Sequence, residues 1–408
     1  MSDLKIRFKR DDGSDYPEWR TVSIGDILER QAVPINVDGN ELYREIGIRS
    51  HGKGLFHKDP VTGEELGNKS VFEIIPDCLV LNIVFAWERA VAKTTSNEIG
   101  MIASHRFPMY KPKEGVLDLD YIVKYLITDK GKRLLELASP GGAGRNRTLG
   151  QKEFANSKIS LPCYEEQKKI ANLLVKLDRI IELCEQEVVN LGKQKTFAMK
   201  KIFSQETRFR KADGGEFAEW EDRPLSYYLS ESKERNKKAE CGRDDVLSVS
   251  KDFGVVNQID FFGKSLAGED LTNYHRVHKG DVVYTKSPLG KQPYGIIKVS
   301  EMEGIVSVLY AVYHCNNKVL PEFVDQYFSR DITLNNYLKP LVNIGAKHTM
   351  NVNNAIAISG LVRFPSSIIE QRAIVDFLSD FDETIVAAKK ELDLWQKLKT
   401  GLLQQMFV

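Results

Sequence analysis

A chain of 408 residues, 42% hydrophobic and 28% charged, has the makeup of a soluble globular protein with room for two or three ordinary domains. It shows no apolar run long enough to cross a membrane and no amino-terminal secretion signal, so a cytoplasmic location is expected. Its 58 lysines and arginines against 57 aspartates and glutamates leave a formal net charge of +1, which excludes a polybasic coat while leaving room for local basic patches. The five cysteines, Cys78, Cys163, Cys184, Cys241 and Cys315, are odd in number and lack any C-x-x-C spacing, which argues against a disulfide framework and a thiolate metal site.

In chain order, the first recognisable stretch is FKRDDGSDYPEW (8–19). The apolar, β-branched run CLVLNIVFA (78–86) follows the turn signal Pro76-Asp77 and is expected to be a strand, and IGMIASHRFPMY (99–110) a strand pair. VLDLDYIVKYLITDKGKRLLELA (116–138) has the helical period, and SKISLP (157–162) reads as a short closing strand before the helix that contains EEQKKIANLLVKLD (165–178). The same series then repeats. FRKADGGEFAEW (209–220), the strand DVVYTKS (281–287) after Lys279-Gly280, the strand pair GIVSVLYAVYHC (304–315), the helical VLPEFVDQYFSRDITLNNYLKPL (319–341), the closing GLVRFP (360–365) and IEQRAIVDFLSDFD (369–382) follow in the same order. Trp19 faces Trp220, Ser104 faces Ser307, Tyr110 faces Tyr313, Pro162 faces Pro365, and Gln167, Ile170, Leu174, Asp178 and Ile181 face Gln371, Ile374, Leu378, Asp382 and Ile385. The chain is a tandem duplication.

Each copy ends in a long helix with a heptad seam. Ile170, Leu174, Leu177, Ile181, Cys184, Val188, Leu191, Lys195, Ala198 and Ile202 are spaced alternately four and three apart. Ile374, Leu378, Phe381, Ile385, Ala388, Leu392, Trp395, Lys399, Leu402 and Met406 repeat that spacing, with lysine at the same step. A polar seam residue costs stability and can fix register. The seams are narrow, long and in phase, which favours the two helices packing on each other, against the alternative that each lies on its own domain. About 38 residues of helix extend about 57 Å, more than an ordinary domain needs, so the helix is expected to act as a spacer.

The copies differ in two loops. Trp87-Glu88-Arg89 stands where the second copy has Gly290-Lys291-Gln292, and Gly144-Arg145-Asn146-Arg147-Thr148 stands opposite Lys347-His348-Thr349-Met350-Asn351. All four segments are rich in side chains that bond base edges or phosphates, although solvated surface loops take such residues as well. Enzymatic signatures are missing. Phe262-Gly263-Lys264-Ser265 resembles the end of a phosphate loop, but its earlier glycine would fall at Gln258. Gly142-Ala143-Gly144 begins a dinucleotide fingerprint whose last glycine would be Arg147. His275 and His278 have no third metal ligand arranged with them, and a Gly-x-Ser-x-Gly elbow is absent. No catalytic, cofactor-binding or metal residue is therefore assigned.

This organisation, carried by SKISLPCYEEQKKIANLLVKLDRII, GLVRFPSSIIEQRAIVDFLSDFDETI, GDVVYTKSPLG and GGAGRNRTLGQKEF, resembles the specificity subunit of type I restriction-modification enzymes over essentially the whole chain. At the second helix entry Pro-Ser-Ser-Ile-Ile-Glu-Gln replaces the family's more usual proline- and acid-rich approach. The resemblance implies an α/β fold of two tandem mixed α/β target-recognition domains, separated by two long antiparallel helices in a coiled coil with pseudo-twofold symmetry. The expected divisions are a first recognition domain at 1–160, a central spacer helix at 161–205, a second recognition domain at 206–365 and a C-terminal spacer helix at 366–408. It further implies that each domain reads one half of a split double-stranded DNA target and that the helices dock two methyltransferase subunits. S-adenosylmethionine would then reside on those partners, and ATP with magnesium on restriction subunits where present. This chain would carry no cofactor and touch no membrane.

On that basis the first half-site is assigned to Trp87, Arg89, Arg145, Asn146 and Arg147, and the second to Lys286, Lys291, Gln292, Lys347, His348 and Asn351. Trp87 reads equally as a core residue, and the role of His348 stays open. The helix length limits the half-site centres to roughly 17 base pairs apart. The rival readings are a protein-interaction scaffold with duplicated ligand-binding domains, which would lack salt-dependent nucleic-acid binding, and a stand-alone enzyme, which would turn over without partners.

Overall fold

The computed structural model describes residues 6–141, 147–288, 292–344 and 350–407. The chain forms two compact units: one comprises residues through Gln186 together with those from Lys389 onward, the other Glu187–Ala388.

The first unit is built on a four-stranded antiparallel sheet in the order Leu28–Gln31, Met109–Pro112, Leu79–Leu81, Val91–Lys93. Against it pack the helices Leu119–Leu126 and Asp129–Leu137. Asp118 caps the first, its side chain accepting from Tyr121 N at 2.9 Å, and Thr128 caps the second through Gly131 N at 3.1 Å. A Cβ on Gly131 would meet Tyr125 O at 2.2 Å, so the two helices can close on each other only with glycine there. The closing strand Lys158–Leu161 pairs antiparallel with Arg20–Ser23, turning Ile159 and Leu161 inward by strict alternation.

The second unit repeats this plan. Its four-stranded sheet runs Leu229–Glu231, Tyr310–Cys315, Val282–Thr285, Ile297–Val299. The helices Pro321–Phe328, with proline preset at its first turn, and Asp331–Leu338 follow, and Leu361–Phe364 closes onto Glu221–Pro224. Identical strand order in both units gives the duplication a structural counterpart.

Two sequence expectations change. The strand expected over 78–86 covers only Leu79–Leu81, because Asn82 Oδ1 accepts from Val84 N at 3.1 Å and bends the chain into the short turn Ala86–Glu88. The strands within 99–110 do not pair with each other, nor do those within 304–315: Ile102–Ser104 joins Val71–Glu73 and Gly304–Val306 joins His275–Val277, while Met109–Pro112 and Tyr310–Cys315 sit inside the main sheets.

The long helices are Tyr164–Phe203, 40 residues, and Ile368–Met406, 39 residues, and each contributes to both units. In the first unit Asp178 meets Lys399 at 2.6 Å and Gln396 lies 3.4 Å from Glu185, so the two segments run antiparallel. All twenty seam residues are buried or half-buried. Both lysines that interrupt the seam have partners: Lys399 on Asp178, and, within the second unit, Lys195 on Asp382 at 2.6 Å. Burial works to raise the Asp178 carboxyl pKa, but hydrogen bonds from Lys124 and Lys399 outweigh it and hold the group below its ordinary value.

Each hydrophobic core takes in the far end of a long helix. Met406 and Phe407 join Tyr121, Leu126, Ile170 and Leu174 in the first unit, and Met199 and Ile202 join Phe323, Phe364, Ile374 and Leu378 in the second. Full burial of such side chains contributes about 1.5–3 kcal/mol apiece.

The glutamate-glutamine pair at each helix entry is a dock. Gln167 Oε1 accepts from Asp118 N at 2.9 Å while its Nε2 donates to Val116 O and Pro162 O. Gln371 does the same with Leu320 N, Lys318 O and Pro365 O. Beside them Glu166 receives Trp19 and Arg7, and Glu370 receives Trp220, with Arg208 at 3.7 Å. The divergent second entry still caps its helix, since Ser367 Oγ accepts from Glu370 N at 3.5 Å.

Candidate nucleic-acid interface

In the first unit the turn Ala86–Glu88 carries Trp87 and leads into Arg89. Trp87 is half-buried and its Nε1 donates to Val84 O at 3.1 Å, which fixes the ring against its own turn. Arg89 adopts a left-handed backbone, φ 61°, and its Nη1 reaches Ile127 O at 3.1 Å and Asp129 Oδ1 at 3.6 Å. The turn is clasped from the other side by His51 N on Glu88 O and Gly52 N on Arg89 O. Arg147 is half-buried and stands two residues before Leu149, whose N donates to Ile83 O at 2.8 Å. The strand-following turn and the segment after the second variable loop thus lie side by side. Arg145 and Asn146 lie outside the described residues.

The second unit makes the corresponding junction with different chemistry. Lys286 follows the strand Val282–Thr285, and its Nζ donates to Asn354 Oδ1 at 3.1 Å. Asn354 Nδ2 donates in turn to Glu231 Oε1 at 2.9 Å, and Glu231 pairs with Lys233 at 2.6 Å. Asn351 lies on the strand Met350–Asn351, paired with Asn343–Ile344 just before that junction. Gln292 is only 1% exposed, and neither its Nε2 nor its Oε1 has a hydrogen-bond partner among the described residues. Lys291, Lys347 and His348 lie outside the described residues.

The junction sets Lys286 and Arg235 beside the carboxylate of Glu231. Burial, then the charge of Arg235, lowers the Lys286 pKa from its ordinary value. Burial, then Arg235 and Lys286, pushes His275 down to about 4, so it is neutral at physiological pH. A hydrogen-bonded lysine kept beside a second cation can offer both to a phosphate or base edge, the chemistry of duplex contact. Sequence inspection missed Arg235, Glu231 and Asn354. Asn354 sits 68 positions from Lys286 and carries no loop signature that could have flagged it. Among the described residues no group of three or more histidines, cysteines and acids could hold a metal, and no helix is long and apolar enough to cross a membrane.

Residues 17–191 match the family model described as the type I restriction modification DNA specificity domain. The chain is 24% identical over 417 aligned positions to the type I restriction enzyme MjaVIII specificity subunit of Methanocaldococcus jannaschii, covering 97% of this chain and 94% of that one. It is also 24% identical to the putative MjaX specificity subunit of the same organism, over 72% of this chain and 68% of the relative. Among solved structures, the S subunit of a type I restriction-modification system from M. genitalium superposes with a TM-score of 0.58 at 13% identity, covering 99% of both chains. A chain from a study of complex assembly in the type I R-M system gives 0.52 at 14% identity, covering 96% of this chain and 98% of that one. At such identities these likenesses concern the fold, which they match along nearly the full chain. The likeness to the type I restriction modification DNA specificity domain is thus carried by residues 17–191, and the likeness to specificity subunits runs along nearly the whole chain.

Proposed function

We propose that this chain is the sequence-reading subunit of a type I restriction-modification enzyme, acting in the cytoplasm on double-stranded DNA. The single observation that carries the reading is the repeated scaffold with unlike loops. Strand order, helix pair and glutamine dock occur twice, while the side chains after the third strand differ, tryptophan and arginine in one copy and lysine in the other. Two like modules with unlike loops read two unlike half-sites. In the first half-site Arg147, with Arg145, Asn146, Trp87 and Arg89, probes the groove; in the second Lys286 and Asn351 do so with Lys291, Lys347 and His348. Gln292 joins them only if its enclosed amide is brought out to the duplex.

Two methyltransferase subunits supply S-adenosylmethionine and the transfer chemistry, and restriction subunits, where present, supply ATP-driven cleavage; this chain selects the site. The test is co-expression with a methyltransferase subunit encoded beside it, in a host lacking that activity, followed by direct sequencing of methylated bases. A split motif with two defined ends and an unread centre, methylated on both strands, is expected. Intact assembly with no motif would overturn the reading. Within it, Arg147→Ala should relax one position of the first half-site by about 1–3 kcal/mol, and equal loss on all sequences would remove Arg147 from base reading.

A further inference from the structure

The unit Glu187–Ala388 contains a groove of about 1070 Å³ that lies outside the loops assigned to DNA. One wall is the helix Pro321–Phe328, the other the stretch of Ile368–Met406 that bears Ser379, Asp382 and Glu383. We infer that this groove docks a segment of a partner protein that carries an apolar anchor flanked by lysine or arginine.

Three observations define that occupant. The mouth is apolar and exposed: Phe253 and Phe261 line it with their rings 5.2 Å apart, Phe262 stacks edge-on to Phe261 at 4.9 Å, and Met302 lies alongside. An apolar cluster left open to water on a charged surface is a contact site in search of a hydrophobic partner. The lining carries a surplus of negative charge, with Glu301, Glu322, Asp325, Asp382 and Glu383 against Lys279 and Lys298. Asp325 is matched by Lys298, Asp382 by Lys195 and Glu322 by Arg372 at 3.9 Å, whereas Glu301 and Glu383 make no ion pair among the described residues. The floor holds an unanswered acceptor. Gln326 is 8% exposed, its Nε2 donates to Asp382 Oδ2 at 3.1 Å, and its Oε1 has no donor among the described residues. A buried carbonyl oxygen without a donor costs about 1–3 kcal/mol, which a bound N–H would relieve. Duplex DNA is the wrong occupant, because its phosphates would face the carboxylates. An aromatic or leucine anchor on Phe253 and Phe261, with a cation beside Glu301 or Glu383, answers the mouth, the charge and the floor together.

The test selects short random peptides displayed on phage against the immobilised full-length chain, then measures the winners by fluorescence anisotropy. Winners are expected to share an aromatic or leucine residue within a few positions of lysine or arginine. Their binding should weaken by about tenfold in Glu383→Lys and in Phe261→Ser, and should fall as salt is raised. Both substituted side chains are exposed, and melting curves verify that the variants fold; should Phe261→Ser melt early, Glu383→Lys carries the comparison. Acidic or anchor-free winners, unchanged binding to both variants, no enrichment over blank beads, or displacement of the peptide by mixed-sequence duplex DNA would each overturn the inference. None of these readouts depends on whether the chain directs methylation.

Discussion

His275 and His278 stand three residues apart on one segment and meet opposite surroundings. His278 Nε2 lies 2.9 Å from Glu234 at the surface, while His275 is 2% exposed in the strand His275–Val277 with its Nδ1 unpartnered among the described residues. That split removes them as a metal pair and makes His275 a pH-dependent element of stability. Its folded pKa of about 4 lies below the unfolded value near 6.5, so as pH falls through that interval the unfolded chain takes up the proton first. The contribution is fully present above about pH 6.5 and is lost as pH falls toward 4. Denaturant midpoints should therefore drop between pH 7 and pH 5 more steeply in the wild-type chain than in His275→Gln, and parallel slopes would discount the histidine. At this scale sequence legibility was poorest. Trp87 and Gln292 carry side chains suited to DNA contact, yet the fold ties Trp87 Nε1 to Val84 O and encloses Gln292, because neither burial nor a local turn bond leaves a mark in residue type. Lys286 was legible as a cation after a strand, but its dependence on Asn354 and Arg235 was not, since those contacts are made only by folding.

The elements were more readable than the residues. Heptad spacing predicted two long helices, and every seam residue is turned away from solvent, because the period of a helix is written directly into which side chains can share a face. The lysine steps were visible as interruptions; their aspartates, Asp178 and Asp382, were visible only as matching positions until the helices were seen side by side within each unit. The Glu-Gln entry was recognisable as a motif without its cause, because its partners at Val116–Asp118 and Lys318–Leu320 lie some fifty residues away. That cause makes a prediction. In Gln371→Ala, Leu320 N loses its acceptor, at a cost of about 1–3 kcal/mol for that donor alone. Gln371→Glu keeps an acceptor for Leu320 but sets a carboxylate oxygen against Lys318 O and Pro365 O, so it should destabilise at least as much despite its near-identical shape. Chemical denaturation decides it: a Gln371→Glu midpoint equal to wild type would show that the two carbonyl contacts contribute nothing.

For the whole molecule, duplication places the same sheet, helix pair and dock in two units while each long helix contributes to both. If the helices set the distance between the two reading modules, as the proposed function requires, their length becomes a dial on the DNA target. Adding seven residues after Gln186 and seven after Ala388 preserves the phase of both seams and adds about 10 Å, close to 3 base pairs of duplex. The methylated motif should then keep both half-sites and lengthen only its unread centre. Four residues at the same places would break the heptad phase of both seams at the insertion while leaving Asp178–Lys399 and Lys195–Asp382, each within one unit, in register, so the change should cost stability as well as spacing. Changed half-sites after the seven-residue insertion would mean that the helices help shape base contacts, and the division between a reading module and a passive spacer would fail. An unchanged centre would mean that the units bind DNA at a separation the helices do not control.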